Sequence, residues 1–134
     1  MLLTDAYLHP KRMLWVRIPT DRTCKCRIFI VTKVIESKIE GIFGQSLPND
    51  RQQNIAVTAE SDIGLMLGLK KETYFREENV CLINPALFDR AQDVGTCPEE
   101  LWTQIKPLVE TARILRRVRD FSVLRVTDFS RRSL

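Results

Sequence analysis

The 134-residue sequence predicts an α+β fold in which a small, strongly bent antiparallel sheet or barrel is followed by a C-terminal helix. Three observations carry this prediction. Short runs of β-branched and aromatic residues follow one another with only turns between them, which is how consecutive antiparallel strands read. Alternating β and α units are missing, so a doubly wound parallel sheet is disfavoured. The apolar period changes only once, from about two to about 3.6, near Thr96 to Trp102.

Met13 to Pro19 (MLWVRIP) is the first strand, closed by Pro19 and a polar turn. Cys26 to Glu36 (CRIFIVTKVIE) is the strongest, and its unbroken Ile28, Phe29, Ile30 and Val31 suit a strand buried on both faces. In the next segment, KIEGIFGQS, Gly41 and Gly44 mark a bulge or a close approach to the backbone. LPNDRQQ is a loop, and NIAVTAE (Asn54 to Glu60) alternates like a half-exposed strand. Within GLKKETYFREENV, Lys70, Lys71 and Arg76 read as a solvated rim; TYFREENVCLI supplies one further strand or a strand pair. Asn84-Pro85 opens a turn or short helical segment, NPALFDRAQDVG.

Pro98 at a first helical position, with Glu99 and Glu100 behind it, starts the helix: proline has no amide to lose there, and the carboxylates complement the dipole. Leu101, Ile105, Leu108, Ala112 and Leu115 place one apolar face over about 98 to 115, to be packed on the sheet. Pro107 removes a backbone donor within that span, which predicts a kink or two abutting helices. FSVLRVTDFS, beyond it, reads as an extra strand, a tail, or an arm that adds to a neighbouring chain's sheet edge. The organisation is therefore an N-terminal extension (1–10), one domain (11–115) and a tail (116–134).

Composition fits one ordinary globular domain, at 44% apolar and 28% charged residues. No signal-peptide pattern opens the chain and no apolar run is long enough to span a membrane, so a cytoplasmic location is expected. Four cysteines without an export signal are expected to be reduced. Cys24 and Cys26 are too closely spaced for the usual zinc pair, and no metal or cofactor is expected. The net charge of +4 is segregated: six arginines against two aspartates follow Leu115, while the rest of the chain is balanced. Such a tail suits a phosphate backbone or an acidic partner, or simply keeps the chain soluble.

Phosphate-cradling glycine motifs do not occur. His9 is the only histidine and precedes Pro10 in an N-terminal segment, a poor support for a general base. Glu77-Glu78 and Glu99-Glu100 are sequence neighbours that point to different sides, so neither makes a natural acid/base couple. Arginine is the more informative residue. Arg27 opens the most apolar strand, where its guanidinium either pairs with a carboxylate at the sheet rim or stabilises charge on a transferring phosphoryl group.

The blocks CRIFIVT, GIFGQS, GLKKETYFREENV and LFDRAQDVGTCPEELWTQI, in that order, resemble the MazF/PemK toxin family of endoribonucleases. Gly68, Leu69, Lys71, Thr73 and Phe75 match one family block, and Gly95, Pro98, Glu99, Glu100 and Leu101 a second. The resemblance covers about residues 11 to 115. It implies an SH3-like β-barrel with a C-terminal helix, often a homodimer, that cleaves single-stranded RNA without a metal and is neutralised by a cognate antitoxin. On this resemblance Arg27 and Ser46 are the catalytic residues, and Arg17, Arg22, Lys25 and Gln45 contact RNA. The sequence departs from the family at Ile28, which replaces a proline, at Gly44 and Gln45, where a threonine is expected, at Lys11-Arg12 and at Glu72. A second reading follows from these departures: a barrel without chemistry that binds protein or nucleic acid.

Overall fold

The computed structural model describes residues 9–17, 26–46, 54–88 and 90–121. Seven strands form one sheet: β1 (Arg12–Arg17), β2 (Arg27–Ile35), β3 (Lys38–Gln45), β4 (Ile55–Val57), β5 (Thr73–Ile83), β6 (Arg90–Thr96) and β7 (Arg119–Asp120). Their spatial order is β4-β5-β3-β2-β1-β6, with β7 added beside β5. All pairings are antiparallel except that of β7 with β5. Among the described residues two α-helices accompany the sheet, α1 (Asp62–Leu67) and α2 (Glu99–Ile114). The α+β class and the mostly antiparallel sheet agree with the sequence; no ladder joins the two outer edges of the sheet among the described residues.

Several elements differ from expectation. The segment after Asn84 is a 3-10 turn over Pro85–Leu87 and then a strand, β6, where the sequence suggested only a turn or helix. Its residues RAQDVGT lack the apolar alternation that identifies a strand, because only Ala91 among them is fully buried. TYFREENVCLI is a single strand. The α1 helix was not anticipated, although its signals are local: Ser61 caps it by accepting from the Gly64 amide, and Gly68 ends it in the left-handed region at φ 67°. NIAVTAE contributes only three strand residues.

The α2 helix is one helix that runs through Pro107. Its buried residues are Leu101, Ile105, Val109 and Ala112, so the face is rotated from the expected one: Val109 replaces Leu108, and Leu115 is exposed. This stripe joins Met13, Ile28, Ile30, Ile42, Phe75 and Val80 in a core between helix and sheet. Arg113 fastens the C-terminal end of the helix, its Nε donating to both oxygens of the buried Glu40 carboxylate at 3.0 and 3.1 Å. Thr32 Oγ1 donates to the same carboxylate at 2.7 Å, and this hydrogen-bonded carboxylate raises the Arg113 pKa.

A second core occupies the other face of the sheet: Leu14, Val16, Phe29, Val31, Ile39, Phe43, Cys81, Ile83, Phe88, Ala91 and Phe121. Five strands contribute to it, Leu87 of the 3-10 turn packs against it, and neither α-helix supplies a residue to it. Gly41 makes room for the Phe29 ring within it. A Cβ there would lie 2.3 Å from the Phe29 ring, which packs edge-on against Phe43 with centroids 4.8 Å apart. Packing also continues past Leu115, since Phe121 is 2% exposed within this core and its amide donates to Leu82 O. The rest of FSVLRVTDFS lies outside the described residues. No helix of the described residues is long and apolar enough to cross a membrane.

Candidate functional site

Strand register brings the polar residues of one sheet end into a row. Arg27 on β2 lies opposite Val16 on β1, which lies opposite Ala91 on β6. Gln45 on β3 lies opposite Tyr74 on β5, which lies opposite Ala56 on β4. Phe29 pairs with Phe43 between β2 and β3, and continuing that register by two residues puts Arg27 beside Gln45. Directly opposed residues project on the same face. Val16, Ala91, Phe29 and Phe43 belong to the second core, so Arg27, Gln45 and Tyr74 form the polar end of that core.

A bulge in β5 completes the row. Ile42 pairs with Val80 and Gly44 with Phe75, so Arg76, Glu77, Glu78 and Asn79 all lie opposite the single residue Phe43. Phe75 and Val80, five residues apart, both face the helix-side core, which regular alternation forbids. The extra residues turn Arg76 and Asn79 together toward Gln45. Arg76 Nη2 and Asn79 Nδ2 both donate to Gln45 Oε1, the latter at 3.1 Å, and Asn79 Nδ2 also reaches Phe43 O at 3.4 Å. Arg76 Nε lies 2.8 Å from Glu78 Oε1. Arg76 is 2% exposed and therefore not the solvated rim that the sequence suggested, whereas Lys70 and Lys71 are exposed.

The residues implicated by sequence divide accordingly. Arg27, 8% exposed, and Gln45, 5% exposed, stand in the row, and Ser46 is an exposed bend residue immediately after β3. Gln45 is held by Arg76 and Asn79, so its carbonyl is directed inward. Arg17 lies opposite Arg90, and strand alternation puts it on the helix side with Trp15, away from Arg27. Arg22 and Lys25 lie outside the described residues. The sequence reading missed Arg76, Glu78, Asn79 and Tyr74 as members of this site. Four polar residues between Phe75 and Val80 were the available signal, since two core residues at an odd spacing require a bulge between them.

The arrangement suits an anion. Arg76, nearly buried, donates to the fixed Gln45 amide, and strand register sets the nearly buried Arg27 beside that same glutamine before any ligand arrives. Glu78, partly open to solvent beside Arg76, adds a proton-accepting carboxylate. Glu72 accepts a hydrogen bond from the Tyr74 hydroxyl, which raises the phenol pKa. Among the described residues, no three His, Cys, Asp or Glu side chains converge as metal ligands would. Compared with protein-family profiles and with curated proteins, the chain matches none.

Proposed function

We propose that the protein is a MazF/PemK-like endoribonuclease acting on single-stranded RNA, with the sheet closing as an SH3-like barrel around the second core. The observation that carries this reading is the Arg27–Gln45–Arg76–Glu78 constellation at the polar end of that core. The RNA 2′-oxygen attacks the adjacent phosphorus, forming the O2′–P bond as P–O5′ breaks, and leaves a 2′,3′-cyclic phosphate and a 5′-hydroxyl. Glu78 accepts the 2′-hydroxyl proton, and Arg27 and Arg76 stabilise the charge that accumulates on the phosphorane oxygens. Ser46, exposed beside the row, relays a proton from solvent to O5′. On this reading the protein works in the cytoplasm as a homodimer, and an antitoxin with an acidic extended segment neutralises it by occupying the same arginines.

The test is cleavage of a mixed-sequence RNA by the purified chain in the presence of EDTA, with the cyclic phosphate as diagnostic product. Arg27→Ala and Arg76→Ala should each lower the rate by about 100-fold or more, the usual cost of removing a preorganised charge stabiliser. Absence of cleavage by the parent protein sinks the catalytic reading. One observation favours a second reading: Gln45 presents an amide already committed to Arg76 and Asn79 where the family resemblance calls for a hydroxyl. An RNA-holding module that binds through the same arginines without turnover would bind in this assay and release no product.

A further inference from the structure

Tyr74 is the one aromatic residue in the polar row, and the mechanism above does not use it. It stands directly across from Gln45 on one side and from Ala56 on the other. Ala56 is exposed and ends at a methyl group, so the cross-strand partner of the ring on β4 is small. Among the described residues no other ring packs on Tyr74, although it is only half-buried on a sheet whose other aromatic residues are largely internal. Glu72, just before β5, interacts with the Tyr74 hydroxyl and raises the phenol pKa. From Tyr74 to Arg27 is two strand spacings, about 10 Å. That matches a nucleotide whose phosphate lies at the arginines and whose base lies over the ring.

We propose that Tyr74 is a stacking platform for a nucleobase adjacent to the phosphate held by Arg27 and Arg76. The inference rests on the RNA reading above and deepens it by assigning a base subsite. An aromatic face beside paired guanidiniums is the combination that holds single-stranded nucleic acid: the cations take the backbone and the ring takes a base of any identity.

The experiment uses a fluorescent 2′-O-methyl RNA decamer of mixed sequence, which lacks the attacking hydroxyl and therefore reports binding apart from chemistry. Tyr74→Ala should weaken binding by about 5- to 100-fold, as loss of one stacked base does, while Tyr74→Phe and Tyr74→Trp remain within about 2-fold of the parent. An abasic decamer of the same length should bind the parent and Tyr74→Ala equally. Tyr74→Leu, which keeps an apolar strand residue, should repeat the alanine result, which separates loss of the ring from a disturbed fold. Equal binding of the base-bearing decamer by the parent, Ala and Leu variants overturns the platform and leaves the ribonuclease reading intact. Tight, Tyr74-sensitive binding with no cleavage of ordinary RNA keeps the platform and removes the catalysis. A parent protein that binds no decamer overturns both.

Discussion

Gln45 shows how much of a residue's role is set by its surroundings. The amide oxygen accepts from a guanidinium and a carboxamide at once, and both donors come from a bulge four residues long on the neighbouring strand. Arg27 was legible in the sequence because it opens an unmistakable strand, and a charged residue at that boundary asks to be explained. Arg76 was not legible: REEN is as polar as any exposed loop, and its burial depends on Gln45, which precedes it by 31 residues. The same holds for Cys97, a thiol beside Pro98 whose burial pushes its pKa up to about 12, an effect opposed by nearby Lys11 and reinforced by Glu99. The folded state therefore keeps a proton that the unfolded chain releases at the ordinary thiol value. The contribution is fully present below that value and is lost as pH rises toward 12. Urea unfolding of the parent should weaken more steeply between neutral pH and pH 10 than that of Cys97→Ala; parallel decline would refute this.

At the scale of elements, local signals predicted existence better than orientation. Pro98 with two glutamates marked the start of α2 to within one residue, because start signals are short-range: Pro98 stands at the cap and Glu99 opens the helix. The choice of Val109 over Leu108 as the inward residue is made by docking. Arg113 grips Glu40 on β3 and fixes the rotation of the helix, and nothing in the linear sequence names that partner. The pair yields a directional prediction. Arg113→Ala leaves a buried carboxylate with Thr32 as its remaining partner and should cost about 3 kcal/mol or more, whereas Glu40→Gln, which removes the buried charge, should cost less. Chemical denaturation of the two variants measures the difference, and equal losses would show that the carboxylate is solvated. Strand β6 illustrates the opposite failure: with only Ala91 fully buried, its pairing with β1 is set by backbone hydrogen bonds that leave little pattern in side chains.

Across the whole molecule, a sheet with a core on each face needs closure at both ends of the chain. Lys11 contributes to one end, its carbonyl accepting from the Cys97 amide and its ammonium lying 5.5 Å from the Trp102 ring centroid. Phe121 contributes to the other, entering the second core beside the short parallel β7–β5 contact, with Lys38 paired to Asp120 nearby. A chain ending at Leu115 loses that plug and should unfold at distinctly lower urea than one ending at Phe121, by about 3 kcal/mol, the typical cost of an emptied phenylalanine site. Matching midpoints would mean that the second core is sealed without it. The charge imbalance read from composition begins at this seam: Arg117 reaches back to Glu77 in the bulge at 3.1 Å, so the basic end of the chain starts next to the polar row.

The bulge in β5 has a consequence for how this protein is able to vary. Because an odd number of extra residues reverses the facing of everything downstream, adding or deleting a single position between Phe75 and Val80 would turn Val80, Cys81 and Ile83 inside out. Replacing one polar side chain by another in that window leaves the frame untouched. The number of residues in that window is therefore fixed by the frame of both cores, independently of the hydrogen bonds its side chains make.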